Sequence, residues 1–220
     1  MKTKSLILLC CLAFFSSCIV KSIQPFYTAD STEYQENLLG EWIDNKKTNW
    51  TVVSLKQTFI DENKDWTKVS EQDKAAYEKY KDGYLITYTQ KNDESTFIFM
   101  AMPFKVGEQL FMDFIPFNYE DNGNDLVSQH LLKTHSVAKI DILEGNKLYI
   151  TWLDEGRLND LFEKNQLKLK YETVGIDESF VLTATSEELY AFLKKYMKAD
   201  IENKWESSEK FTLTKKNAHP

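Results

Sequence analysis

From Leu38 onward much of the chain alternates apolar and polar residues with period two, the spacing of half-buried β-strands. Residues 50–55 form one such segment. Residues 84–89 and 96–101 flank the polar turn Lys91-Asn92-Asp93-Glu94 and predict a hairpin, and residues 109–115 follow the turn at Gly107. A second hairpin is predicted where 138–142 and 147–152 flank Glu144-Gly145-Asn146. Residues 167–171, with lysines on the wet face, 180–183 and 211–214 complete the strands. Helical spacing is rarer. Thr185-Ser186-Glu187-Glu188 reads as a capping box, ahead of Leu189, Phe192, Leu193 and Tyr196 on one helical face ending near Ala199. Asp154 caps a shorter helix carrying Leu158, Leu161 and Phe162, and residues 70–81 predict a mostly polar surface helix. About nine or ten short strands with two or three helices give a mainly β (α+β) domain, an antiparallel barrel or sandwich with helical additions.

The first residues follow neither period. A basic start, Met1-Lys2-Thr3-Lys4, precedes the apolar run 5–15, then Ser16, Ser17 and Cys18, which is the layout of a secretory signal peptide. The uncharged stretch 5–20 is shorter than the roughly 20 residues of a spanning helix. Phe15-Ser16-Ser17-Cys18 resembles the lipobox of bacterial lipoproteins, with Phe15 in place of the more usual leucine. A thiol there is the nucleophile that accepts a diacylglyceryl group, and small preceding side chains let a peptidase bind the extended backbone. Cys10 and Cys11 lack small residues before them and read as apolar filler. The resemblance implies a signal peptide over 1–17, a lipidated tether over 18–37 and a single β-rich exported domain over 38–216. Palmitate-type chains on Cys18 would then hold the domain at the membrane, since one acyl chain alone anchors only marginally. Ile19 rather than Asp follows the cysteine, so the expected place is the cell envelope, at the outer membrane facing the periplasm.

Composition narrows the function classes. The 220 residues carry 34 acids against 27 Lys and Arg, of which only Arg157 is arginine, for a net charge of −7. With no basic block, a nucleic-acid partner is excluded. An aromatic share of 14% excludes wholesale disorder. All three cysteines lie within the first 18 residues, so the exported domain has no disulfide, cysteine nucleophile or cysteine zinc site.

The sequence points to no cofactor and to no catalytic or metal set. His130 and His135 are five residues apart, which places them on opposite faces of a strand and about 140° apart on a helix, unlike a helical zinc pair. A bend between them would be needed for a metal site. Residues 118–129 place oxygen ligands at positions 1, 3 and 5 of a calcium loop and Gly123 at 6, but Asn118 and Gln129 stand where charged ligands belong. The apolar run 111–117 reads first as core and second as the lining of an apolar pocket.

Gly40-Glu41-Trp42 resembles the Gly-x-Trp of the first lipocalin strand, although the sole arginine, which could stack on such a Trp, falls on a predicted helix rather than a final strand. Five segments resemble a family of uncharacterised bacterial envelope lipoproteins: Ile23-Gln24-Pro25-Phe26-Tyr27, residues 37–42, 107–113, 130–139 and 182–189. Proline is expected near Lys133 in that family and is missing here. The resemblance implies export and anchoring and supplies no catalytic residues. Two functions follow as expectations. The first is a non-enzymatic envelope lipoprotein binding an apolar small molecule or an envelope protein. The alternative is an envelope hydrolase using His130 or His135 with nearby carboxylates.

Overall fold

Eight antiparallel strands close on themselves in a computed structural model that describes residues 19–63, 65–90, 95–118, 131–176 and 178–216. The barrel runs β2 (Gly40–Asp44), β3 (Asn49–Ser54), β4 (Tyr84–Thr89), β5 (Thr96–Val106), β6 (Gln109–Asn118), β7 (Ser136–Leu143) and β8 (Lys147–Trp152), and β11 (Lys210–Lys215) completes it. β11 pairs with both β8 and β2, with Lys215 opposite Trp42. The order in the barrel is the order in the chain, an up-and-down meander with short connections at β2–β3, β4–β5, β5–β6 and β7–β8 and long ones over 55–83, 119–135 and 153–209. The mainly β, barrel-like reading of the sequence therefore holds.

Period two assigns alternate residues to the two faces of the wall. Trp42, Trp50, Val52, Ile86, Met112, Phe114, Ile140, Ile150 and Leu213 point inward and form one core. Phe104, Phe111, Val137 and Leu153 belong to a second core, on the outside of β5–β8, and are buried by what packs there. That cover comes from the chain between β8 and β11. It comprises α3 (Glu155–Glu163), β9 (Tyr171–Val174), β10 (Ser179–Leu182) and α4 (Ser186–Lys198). The α4 capping box is present as expected, with Thr185 Oγ1 accepting from the Glu188 amide and the Glu188 carboxylate accepting from the Thr185 amide. Asp154 caps α3 and Ser70 caps α2 (Glu71–Tyr80).

Three departures from the sequence reading have physical causes. Leu55 ends no strand but starts a helix, α1 (Leu55–Glu62), because the Ser54 hydroxyl accepts from the Gln57 amide and turns the chain. Residues 166–170 are not strand; Leu167 and Leu169 pack against the outer core while no neighbouring strand runs beside them, and pairing starts at Tyr171. The segment expected as a tether is stitched into the fold. β1 (Lys21–Ser22) pairs in parallel with β10, Val20 N–H donates to Leu153 O at 3.0 Å, and Ser22 and His135 exchange backbone bonds at 2.9 and 2.8 Å. Val20, Phe26 and Leu38 are all buried.

The two ends of the barrel differ. One is closed by a 3-10 turn over Glu36–Leu38, by Leu38 itself and by Tyr84, whose hydroxyl accepts from Gln35 N–H and donates to Gln35 O. At this end Trp42 Nε1 donates to Leu38 O, and Lys215 Nζ stands 5.1 Å from the Trp42 ring centre while donating to Asn37 O. The cation that the sequence reading sought in an arginine is thus a lysine of the last strand, a favourable partner for an indole face. The lower interior is filled, with a void of about 20 Å³ among Leu38, Val52, Ile86, Met112 and their neighbours.

Candidate functional site: an aromatic cup at the open end

At the other end the barrel is hollow. A cup of about 430 Å³ is lined by Trp50, Tyr88, Phe97, Phe99, Phe114, Trp152 and Phe211, with Ile19, Lys21, Ser136 and Glu209 beside them. All seven aromatics sit near the ends of strands that finish or begin at this mouth, at positions that period two turns inward.

The rings form a girdle. Phe97 meets Tyr88, Tyr88 meets Trp50, and Trp50 meets Phe211, at centroid separations of 6.3, 4.9 and 5.5 Å. Phe211 meets Trp152, Trp152 meets Phe114, and Phe114 meets Phe99, at 5.7, 5.0 and 6.2 Å. Phe99 and Phe97, two apart on β5, close the circle. Such contacts at 4.5–7 Å hold rings in preferred edge and offset orientations, so the girdle is braced from within.

Both indole N–H groups of the girdle are used by the wall. Trp50 Nε1 donates to Asp44 Oδ2 at 3.1 Å and Trp152 Nε1 donates to Ser136 Oγ at 3.3 Å. Asp44 also accepts from the amides of Lys46 and Thr48, which fixes the turn between β2 and β3. The cup therefore offers ring faces and no free indole donor. Charge stays at its margin, where Lys21 and Glu209 border the opening and Lys46 Nζ lies 4.5 Å from the Phe211 centroid. Volume and lining are those of a pocket for a small apolar molecule, which span roughly 300–1,000 Å³.

A larger crevice, about 910 Å³, lies between α4 and residues 165–170. Its lining mixes Leu161, Leu167 and Phe192 with Lys168, Lys170, Glu188 and Lys195, and it lacks a ring of convergent groups. The cup is the better-built site.

Of the residues raised by the sequence, Phe114 lines the cup. Phe111 does not: it faces the other side of β6, stacked 5.6 Å from Phe104, because adjacent residues of a strand point to opposite faces. Trp42 of the Gly40-Glu41-Trp42 strand is core and does not line the cup. Cys18, His130 and nearly all of residues 118–129 lie outside the described residues. The other girdle aromatics were legible as strand residues but not as one site, because the girdle draws on six strands.

His135 is placed, and its partner is Asp113, Nδ1 to Oδ1 at 2.6 Å. Asp113 points outward from β6 yet is buried beneath residues 19–27, the N-terminal strap, and its Oδ2 accepts from the Phe26 amide at 2.8 Å. Burial pushes its carboxyl above the usual range, against the pull of His135 and the Phe26 amide. Among the described residues no hydroxyl bonds to this imidazole; Ser22 Oγ instead donates to Leu182 O and accepts from the Gln24 amide. The pair ties the strap to the barrel. No cluster of three or more metal-ligating side chains occurs among the described residues.

The chain matches no protein-family model, no curated protein and no solved structure.

Proposed function

We propose that the chain is a non-enzymatic bacterial envelope lipoprotein, anchored through acyl chains on Cys18, whose barrel holds a small apolar molecule in the aromatic cup. The observation that carries this reading is the girdle of seven rings around an unfilled hollow of about 430 Å³, above an interior that is otherwise packed. A barrel of this size can fill its interior with side chains, as its lower half does. The seven rings leave the upper half free, and with their indole donors already satisfied they suit a hydrocarbon or aromatic ligand rather than a polar one. Lys21 and Glu209 at the margin suit a ligand with one polar end. The closed meander, the Gly40-x-Trp42 strand and the Lys215 cation over Trp42 together support a lipocalin-like mode of binding. The lipobox ending at Cys18 supports the anchor, with an outer-membrane, periplasm-facing placement.

Native mass spectrometry of the purified chain tests the ligand. The expected result is one bound small molecule, extractable into organic solvent and lost in Phe99→Arg, which puts a cation into the girdle. A fluorescent fatty acid titrated against the tryptophan emission serves as the added probe. Equal binding by Phe99→Arg and the parent chain, or none by either, overturns the reading. For the anchor, Cys18→Ala should leave the protein soluble and unlabelled by fatty acid.

A further inference from the structure

We infer that the mouth of the barrel is a membrane-docking surface, so that the aromatic cup opens onto the lipid surface to which the chain is tied. This deepens the proposed function and rests on the anchoring of Cys18.

Covalent geometry supplies the first argument. Ile19 lines the cup, and it is held there by its bridge to Asp154 and by the Val20–Leu153 bond at 3.0 Å. Cys18 is the preceding residue, and consecutive Cα atoms are about 3.8 Å apart. Acyl chains on its sulfur leave the protein at the mouth, and the bilayer that takes them up lies against that end. Residues 19–27 offer no slack to move it elsewhere, since they are stitched to β10, His135 and Asp113.

The rim supplies the second. Phe97, Phe117, Leu131 and Leu132 are 47%, 48%, 49% and 63% exposed, and all belong to the β4–β5 and β6–β7 side of the mouth. Lys133 Nζ donates to Phe117 O at 3.0 Å, which holds the Leu131–Leu132 stretch beside Phe117. Apolar side chains gathered where an anchor emerges fit the interfacial zone of a bilayer. Ile142 and Leu143 are also exposed, but they sit at the closed end, far from Ile19 along the barrel.

Charge does not drive the contact. The described charges near the mouth are mixed, Lys21, Lys46 and Lys133 with Asp44 and Glu209, and form no basic patch. Docking is therefore apolar, and it persists on zwitterionic lipid and at high salt. One consequence is direct exchange: a single-chain lipid passes between bilayer and cup without crossing water.

The test uses the full chain, purified in its lipidated form and placed on phosphatidylcholine vesicles. With Cys18 acylated, a cysteine introduced at the rim (Leu132→Cys or Phe117→Cys) or at the closed end (Leu143→Cys) is the only free thiol for an environment-sensitive fluorophore. The expected result is a blue-shifted, brighter emission from both rim labels on vesicles, quenched by spin-labelled lipid, with the Leu143→Cys label unchanged. Water-like emission from the rim labels, or equal quenching at both ends, overturns the docking surface while leaving the anchor intact. The mass of the N-terminal peptide reads the anchor separately: an unmodified Cys18 refutes the anchoring and the docking together.

Discussion

Replacing Asp113 with alanine should loosen the N-terminal strap before it loosens the barrel. The substitution removes both acceptors, the oxygen 2.6 Å from His135 Nδ1 and the one 2.8 Å from the Phe26 amide. Asp113 is 1% exposed, so water does not replace them. Each buried group left without a partner costs about 1–3 kcal/mol. Against this stands relief of the burial that pushes the carboxyl upward. A net loss of about 3 kcal/mol is expected, a large share of a stability of about 5–15 kcal/mol. With a urea slope of about 2–3 kcal/mol/M the midpoint falls by about 1 M. Hydrogen exchange adds the local signature: the Ser22 and His135 amides, paired with each other's carbonyls, lose protection while barrel amides such as that of Ile140 keep theirs. An unchanged midpoint, or a loss of protection spread evenly over the barrel, refutes the reasoning.

The same residue carries a pH dependence whose sign follows from its burial. Because the folded carboxyl titrates above its unfolded value of about 3.9, the folded chain retains a proton that the unfolded chain has already released. That share of stability is complete below the unfolded value and is lost as pH rises through the folded one. Asp113→Asn, which cannot titrate, should flatten the slope of stability against pH in that window, read from urea midpoints; an unaltered slope would show that other groups set it.

Three further substitutions probe other parts of the design. Lys204 Nζ donates to the carbonyls of Tyr196, Met197 and Ala199 at the end of α4, so Lys204→Met should cost about 1–2 kcal/mol, a fall of about 2–8 °C in a calorimetric melt. A Cβ at Gly83 would lie 2.5 Å from Met102 Sδ and 3.0 Å from Ala101 O; the thioether can move but the carbonyl cannot, and Gly83→Ala should cost about 1–3 kcal/mol by chemical denaturation. Lys215→Met keeps the stem but removes the cation over Trp42 and the donor to Asn37 O, for about 1–2 kcal/mol, while Lys215→Arg should retain most of it; equal losses in the two variants would dismiss the cation's role.

What the sequence made legible was local. The β7–β8 hairpin follows from alternation around Glu144-Gly145-Asn146, and α4 from four residues of capping box ahead of a periodic face. The start of α1 was equally local: Ser54 with Gln57 three residues on is a capping signal that strand-like spacing through Leu55 obscured. Alternation misled at Leu167 to Lys170, because it reports which side chains are buried and says nothing of whether a neighbouring strand exists. The strap was illegible for a different reason. Its partners, Asp113, His135, Leu153 and Val181, are 87 to 160 residues away or of similar separation, and no short-range pattern encodes them. The cup needed one more fact still, the closure of β11 on β2, without which Phe211 and Trp50 are merely two aromatics in distant strands.

That closure also bears on how the protein tolerates crowding. A sheet grows by adding strands to an unpaired edge, and a barrel joined through β8, β11 and β2 presents none. Among the described strands the free edge is left to β9, only four residues long, with Glu172 among them. Short, charged edges are poor templates. Held at high density on a surface, copies of this chain can collide edge to edge without seeding a shared sheet, and the hazard that remains lies in chains that have not yet brought their first and last strands together.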